Sequence, residues 1–191
     1  MTARIYRNAH IQQKLRTASG TLYGCTDSCG AMFADSVTLG GVRTTEAGFR
    51  KMSPEPIPDP ASPGLNIPQF IATLWKLRIV SIDKTGETWA DLIRYLNEDR
   101  RVMLQLDNYT FNDCGRSRVG HAVFLQAQRE ITLGSGKRAT RILADNPMCS
   151  VGKWYPPSQL KNAAEVFGDQ TGVPGAGIRF AVSRIVPRMA T

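Results

Sequence analysis

The order in which hydrophobic periodicities change along the chain limits its possible folds more than any other feature. Between Thr26 and Thr38, the residues Cys29, Met32, Phe33, Ser36 and Val37 recur at i, i+3, i+4, i+7 and i+8, which is one face of a helix. Past residue 100 the pattern turns to β-type runs at 102–106, 122–131 and 139–144, with Gly134-Ser135-Gly136 reversing the second into the third as a hairpin. Helices first and strands later predict an α+β fold, with N-terminal helices packed on a mostly antiparallel sheet.

Smaller signals fill in the outline. Residues 8–16 read as a short polar segment with helical potential, and Gly40-Gly41 as a left-handed cap on the first helix. Asn66 is placed to cap a helix over 68–76, followed by a strand near 78–82. Thr88 and Asp91 form a capping-box pattern at the head of a helix over 89–97. A polar loop spans 108–119. Pro156-Pro157-Ser158 introduces a helix over 159–167, and the Gly-rich stretch 172–177 leads into a strand over 178–186. Six of the eleven prolines fall within residues 53–68, which predicts an extended loop and not a linker, since neither flank makes a domain alone. One domain over residues 1–191 is expected.

Composition removes several function classes. No apolar run reaches the roughly 18–20 residues of a membrane span, and the N-terminal residues 1–7 lack the apolar stretch of a signal peptide. The expectation is a soluble protein without an export signal. A net charge of +8, from 24 basic and 16 acidic residues, suits an anionic partner. The charge is spread out, however, with no arginine-rich arm and no aromatic–basic interleaving, so nucleic-acid binding is not supported. Gly134-Ser135-Gly136-Lys137-Arg138 is no phosphate loop, because Ile131 stands where its first glycine belongs and Arg138 where Ser or Thr belongs.

The four cysteines (Cys25, Cys29, Cys114, Cys149) are too few and scattered for a disulfide framework. Cys25 and Cys29 have no second ligand pair near them in sequence, so no metal or cofactor is expected. Whether Cys114 and Cys149 meet is left open. Cys25 stands where the first helix begins, His121 opens a strand, and Asp145 closes a later one. A helix N-terminus and an imidazolium both lower a thiol pKa. A histidine can move the proton, and a carboxylate can orient the histidine. Each residue also has a plainer reading: Cys29 shares the apolar stripe and belongs to the core, a lone histidine at a strand start is usually a satisfied half-buried residue, and Asp145-Asn146-Pro147 is by default a turn. The weight lies in the three arriving in the order Cys, His, acid on suitable elements.

Cys25-Thr26-Asp27-Ser28-Cys29-Gly30-Ala31-Met32 resembles the Cys-Gly-Pro-Ala-x-x-Ala-Met run of the papain-like peptidases that cleave double-glycine leaders from bacteriocins. Gly120-His121-Ala122-Val123 is similar to that family's His-Phe/Ala-Val-Val strand. Ala144-Asp145-Asn146-Pro147 is similar to its Asp-Pro, with Gly152-Lys153-Trp154 after it. The chain looks closer still to peptidase-like proteins and endolysin peptidase domains of tailed actinobacterial phages, in which a Cys-Thr-x-x-x-Gly-Ala-Met helix is followed by Thr-Leu-Gly, here Thr38-Leu39-Gly40.

The resemblance covers about residues 20–185. It implies a papain-like fold and a Cys25–His121–Asp145 triad hydrolysing a peptide or amide bond, in bacterial cell-wall peptide stems above all. A competing alignment on Ser28-Cys29, with Ala31 and Phe33 following, would make Cys29 the nucleophile. Family members carry a glutamine about six residues before the cysteine, whose amide completes the oxyanion hole; Ser19 stands there instead. Either Gln12 or Gln13 reaches in over a longer turn, another group substitutes, or the site is weak. Implied partners are a peptide or peptidoglycan substrate and other virion proteins, with expression in the host cytoplasm before delivery to wall or virion. The alternative is a structural tail protein built on the same fold, weakly active or inactive.

Overall fold

The computed structural model of the chain describes residues 10–16, 23–57, 64–114, 120–175 and 177–184. Three helices come first, α1 (Cys25–Val37), α2 (Glu46–Met52) and α3 (Ile67–Lys76). They lead through β1 (Ser81–Asp83) to α4 (Trp89–Asn97), β2 (Val102–Asp107) and the single turn α5 (Asn108–Phe111). The hairpin β3 (Gly120–Thr132) and β4 (Arg138–Asn146) follows, then β5 (Ser150–Tyr155), α6 (Pro157–Gln170) and β6 (Arg179–Ser183). The strands form one sheet in the order β1-β6-β2-β3-β4-β5, and every pairing is antiparallel. The α+β architecture expected from the sequence is the one observed.

The sheet separates two apolar layers, and strand alternation decides which residue joins which. Val102, Leu104 and Leu106 of β2 pack with Leu92 of α4 and Leu160 of α6. Met103, between them, turns the other way with Phe124 and Ala181 toward Phe33, Phe49 and Phe70 of the first three helices. Helices therefore cover both faces. Helix α1 is buried from Cys25 to Ser36 on every side. Phe33 stands edge-on to Phe70 at 5.5 Å and to Phe124 at 6.0 Å between ring centroids. Gly30 lets the Phe49 ring lie directly on the helix; any Cβ there would overlap the ring.

The capping signals mark real helix starts. Asn66 with Gln69, and Thr88 with Asp91, form reciprocal capping boxes on α3 and α4. Other expectations change. Residues 10–16 are not helical: the backbone N–H groups of Lys14 and Leu15 are taken by the Glu46 carboxylate at 2.8–3.2 Å, so this segment is tied to α2. Residues 8 and 9 lie outside the described residues. Leu39 (φ 51°) and Gly40 (φ 87°), not Gly40-Gly41, make the left-handed exit from α1, and the Gly40 N–H reaches the Asp35 carbonyl at 2.8 Å. Helix α2, unmarked by periodicity, is capped by Thr45, which accepts from the Gly48 N–H at 3.0 Å. Of the proline-rich loop, 58–63 lie outside the described residues, as do 115–119 and 185–186. Strand β5, which carries Gly152-Lys153-Trp154, is a sheet edge.

Candidate active site

The site forms where the N-terminus of α1 abuts the start of β3 and the end of β4. Gly24 precedes Cys25 because the Glu46 carboxyl presses against it; a side chain at that position would overlap Glu46 Oε1. The Cys25 sulfur is met by the backbone N–H of Ala122, next to His121 on β3, and by Thr26. Cys25 is 9 % exposed and Cys29, one turn on, is 0 % exposed within the apolar layer. Cys25 is thus the cysteine at the mouth of the helix, and Cys29 is packing.

His121 Nε2 lies 2.8 Å from Asn146 Oδ1. The sequence pattern put Asp145 against this imidazole, and the structure puts Asn146 there. Neighbouring residues of a strand point to opposite sheet faces, so a slip of one residue exchanges the two. Asp145, paired across the ladder with Phe124, lies under α1. Its Oδ2 accepts from Gln126 Nε2 at 2.6 Å and its Oδ1 from the Gly152 N–H at 2.6 Å, with His10 Nδ1 3.8 Å away. It is a buried brace between β3, β4 and β5. One signal could have found Asn146: in an Asp-Pro motif the residue in question directly precedes the proline, and before Pro147 that residue is Asn146.

Asn146 is itself held. Its Oδ1 also accepts from the Met148 N–H at 3.0 Å, and its Nδ2 donates to Asp113 Oδ2 at 3.1 Å. Asp113 additionally receives Tyr155 Oη at 2.5 Å and the Lys153 ammonium. Beside it, Cys114 and Cys149 are joined in a disulfide, with Cα atoms 6.0 Å apart. Ligand atoms of Asp113, Cys114 and Cys149 lie within 4.8 Å of one another. With the sulfurs bonded together and the carboxylate engaged by Lys153 and Tyr155, the group offers a cation no thiolate pair.

A glutamine sits at the mouth of α1 after all. Gln13 is buried, and with its amide oriented so that Oε1 accepts from the Tyr23 N–H (3.1 Å) and Gly24 N–H (3.2 Å), its Nε2 is left as a donor at the head of α1. The Gln13 backbone N–H is anchored on the Pro147 carbonyl at 2.8 Å, which brings the N-terminal segment to the end of β4. A spacing count could not find it, because the approach is an extended segment from twelve residues upstream. Ser19 lies outside the described residues.

The electrostatics depart from the expected thiolate–imidazolium pair. Burial pushes the Cys25 thiol up from its ordinary value, against the Ala122 N–H and Thr26, which favour the thiolate; nearby Asp27 adds to the rise. Burial also pushes His121 down to about 4, although Asn146 and Asp113 favour its charged form. Both shifts favour the neutral forms, a thiol at Cys25 and an imidazole at His121. Burial pushes the Cys29 thiol still further from ionisation.

No family model and no curated protein matches the sequence. A solved structure does: a crystal structure described as a C39-like peptidase from Bacillus anthracis superposes with a TM-score of 0.61 at 14 % identity, over 95 % of this chain and 96 % of that one. The fold is that of the papain-like peptidases. At this identity the likeness concerns architecture, and the chemistry must be argued from the site. No helix among the described residues is long and apolar enough to cross a membrane.

Proposed function

We propose that this chain is a cysteine peptidase or amidase, with Cys25 as nucleophile, His121 as the proton-transferring base and Asn146 orienting the imidazole. The observation that supports this most is the shared anchorage: the Ala122 N–H holds the sulfur while the adjacent His121 is fixed through Nε2 by Asn146, which leaves Nδ1 as the basic nitrogen. In a neutral resting pair, substrate binding would have to bring on proton transfer from Sγ to Nδ1. The thiolate then attacks the carbonyl carbon and the imidazolium returns the proton to the leaving amine. The α1 N-terminus and the Gln13 amide would face the tetrahedral oxyanion.

The substrate proposed is the peptide stem of bacterial cell wall, cleaved by a phage-encoded enzyme delivered to the wall or carried on the virion. The +8 charge supports an anionic target. The Cys114–Cys149 disulfide supports action in an oxidising compartment and not in the reducing cytoplasm. The test is incubation with purified peptidoglycan and with a panel of peptides, reading new amino termini by mass spectrometry. Cleavage by the wild type and none by C25A supports the reading; cleavage that survives in C25A removes it.

A second reading, a virion component on this fold with little or no activity, is supported by the burial that disfavours ionisation of both Cys25 and His121. It expects no cleavage of any substrate and co-purification with assembled particles.

A further inference from the structure

Asp113 belongs to no part of the Cys–His–Asn arrangement, yet it is the residue on which that arrangement is hung. Its side chain is 3 % exposed, although Lys153, which pairs with it, is half exposed. Three donors converge on it: Asn146 Nδ2 (3.1 Å), Tyr155 Oη (2.5 Å) and Lys153 Nζ. A buried carboxylate so surrounded can only accept.

That restriction has a consequence two residues away. An asparagine amide can present either end to a histidine, and a neutral imidazole can carry its proton on either nitrogen. With Asp113 demanding a donor from Asn146, the amide nitrogen must face Asp113 and the amide oxygen must face His121. The Met148 N–H, 3.0 Å from the same oxygen, favours the same orientation through a neutral bond, weaker than the charge-assisted one to Asp113. Asn146 Oδ1 is then an acceptor 2.8 Å from Nε2, so Nε2 must carry the proton.

We propose that Asp113 is a positioning residue that sets the His121 tautomer through Asn146, holding Nε2 protonated and Nδ1 free to take the proton of Cys25. The inference rests on the Cys25–His121 reading for its catalytic meaning, but the tautomer itself is independent of it. Tyr155 and Lys153 keep Asp113 in place, and the Cys114–Cys149 disulfide ties the two backbones that carry Asp113 and Asn146, with Asn146 Nδ2 3.2 Å from the Cys114 sulfur.

The test combines ¹⁵N-histidine NMR, which reads the tautomer from the two ring-nitrogen shifts, with the iodoacetamide alkylation rate of Cys25. Wild type is expected to show the Nε2–H form. D113A is expected to mix the tautomers and slow Cys25 alkylation by about tenfold, the usual lower bound for losing a residue that orients a functional ligand. Because D113A also removes a buried brace, a charge swap provides the second arm. N146D alone sets two carboxylates against each other. D113N/N146D restores one donor and one acceptor, so the double variant is expected to keep the Nε2–H form, which an acceptor-only Asp at 146 holds in either variant, and to regain alkylation to within about threefold of wild type.

A D113A protein that keeps both tautomer and alkylation rate overturns the proposal, as does a double variant that alkylates as slowly as a slowed N146D. If the tautomer shifts in D113A while the Cys25 alkylation rate is the same in every variant, the positioning role stands and the nucleophile reading falls.

Discussion

Asn146 offers Oδ1 to Nε2 of His121 at 2.8 Å, while Asp145, one residue earlier, turns its carboxylate away to Gln126 and Gly152. The two neighbours on β4 should therefore fail differently. N146A is expected to lower kcat by about 10–100-fold because it frees the imidazole, and to lower Tm as well because it strands the Met148 N–H and Asp113. D145N is expected to lower Tm and leave the pH profile of kcat in place, because it weakens bonds beneath α1. Steady-state kinetics and thermal melts of the two variants check this.

Gln13 sets a second expectation. If its amide stabilises the oxyanion, Q13A lowers kcat by about 10²–10³-fold with KM nearly unchanged. A KM effect without a kcat effect would show that Gln13 only seats the N-terminal segment against Tyr23 and Gly24.

Two buried groups make stability depend on pH in opposite senses. His121 falls from its ordinary 6.5 to about 4 on folding, so the unfolded chain binds more protons between those values, and stability is lost as pH falls from 6.5 toward 4. The full loss amounts to about 3 kcal/mol. Asp27, driven by burial and opposed by Arg50, rises from 3.8 to about 7. Here the folded chain holds the extra proton, and stability falls by about 4 kcal/mol as pH climbs from 3.8 past 7. The windows overlap, so the wild-type profile is expected to be shallow. D27N should gain in Tm over wild type as pH rises from 4 to 8, and H121Q should gain as pH falls from 6.5 to 4. Melts across pH 4–8 decide both.

The Cys114–Cys149 bridge closes a 35-residue separation and should contribute about 3–4 kcal/mol by restricting the unfolded chain. Reductant should then lower Tm by about 10 °C in a chain of this size. C114S/C149S should already melt at the lower temperature and ignore reductant.

The resting state of the thiol can be read directly. Burial of Cys25 and His121 favours the neutral pair, so Cys25 alkylation is expected to climb with pH through the ordinary thiol range and beyond. A rate plateau already reached at pH 6 would instead reveal a thiolate–imidazolium pair.

Local signals made much of this legible in advance. The stripe through Cys29, Met32 and Phe33 and the capping pairs Asn66/Gln69 and Thr88/Asp91 act within one or two helical turns, and the Gly134–Gly136 turn acts within one hairpin, so sequence alone specified α1, α3, α4 and the β3–β4 pair. The order of Cys25 and His121 on those elements followed with them. What sequence could not rank was Asp145 against Asn146, because the choice turns on which strand face meets the imidazole, and that depends on the ladder register of β4 with β3 and the irregularity it carries toward β5. Gln13 and Asp113 were equally out of reach: one is brought to Gly24 at the head of α1 by an extended segment pinned on Glu46 and Pro147, the other to Asn146 by a disulfide and two β5 side chains. The sequence by itself determined α1, α3, α4 and the β3–β4 hairpin, and with them where Cys25 and His121 stand, through interactions a few residues long; only the tertiary structure decided that Asn146 meets His121 and that Gln13 meets Gly24, because each contact joins segments far apart in the chain.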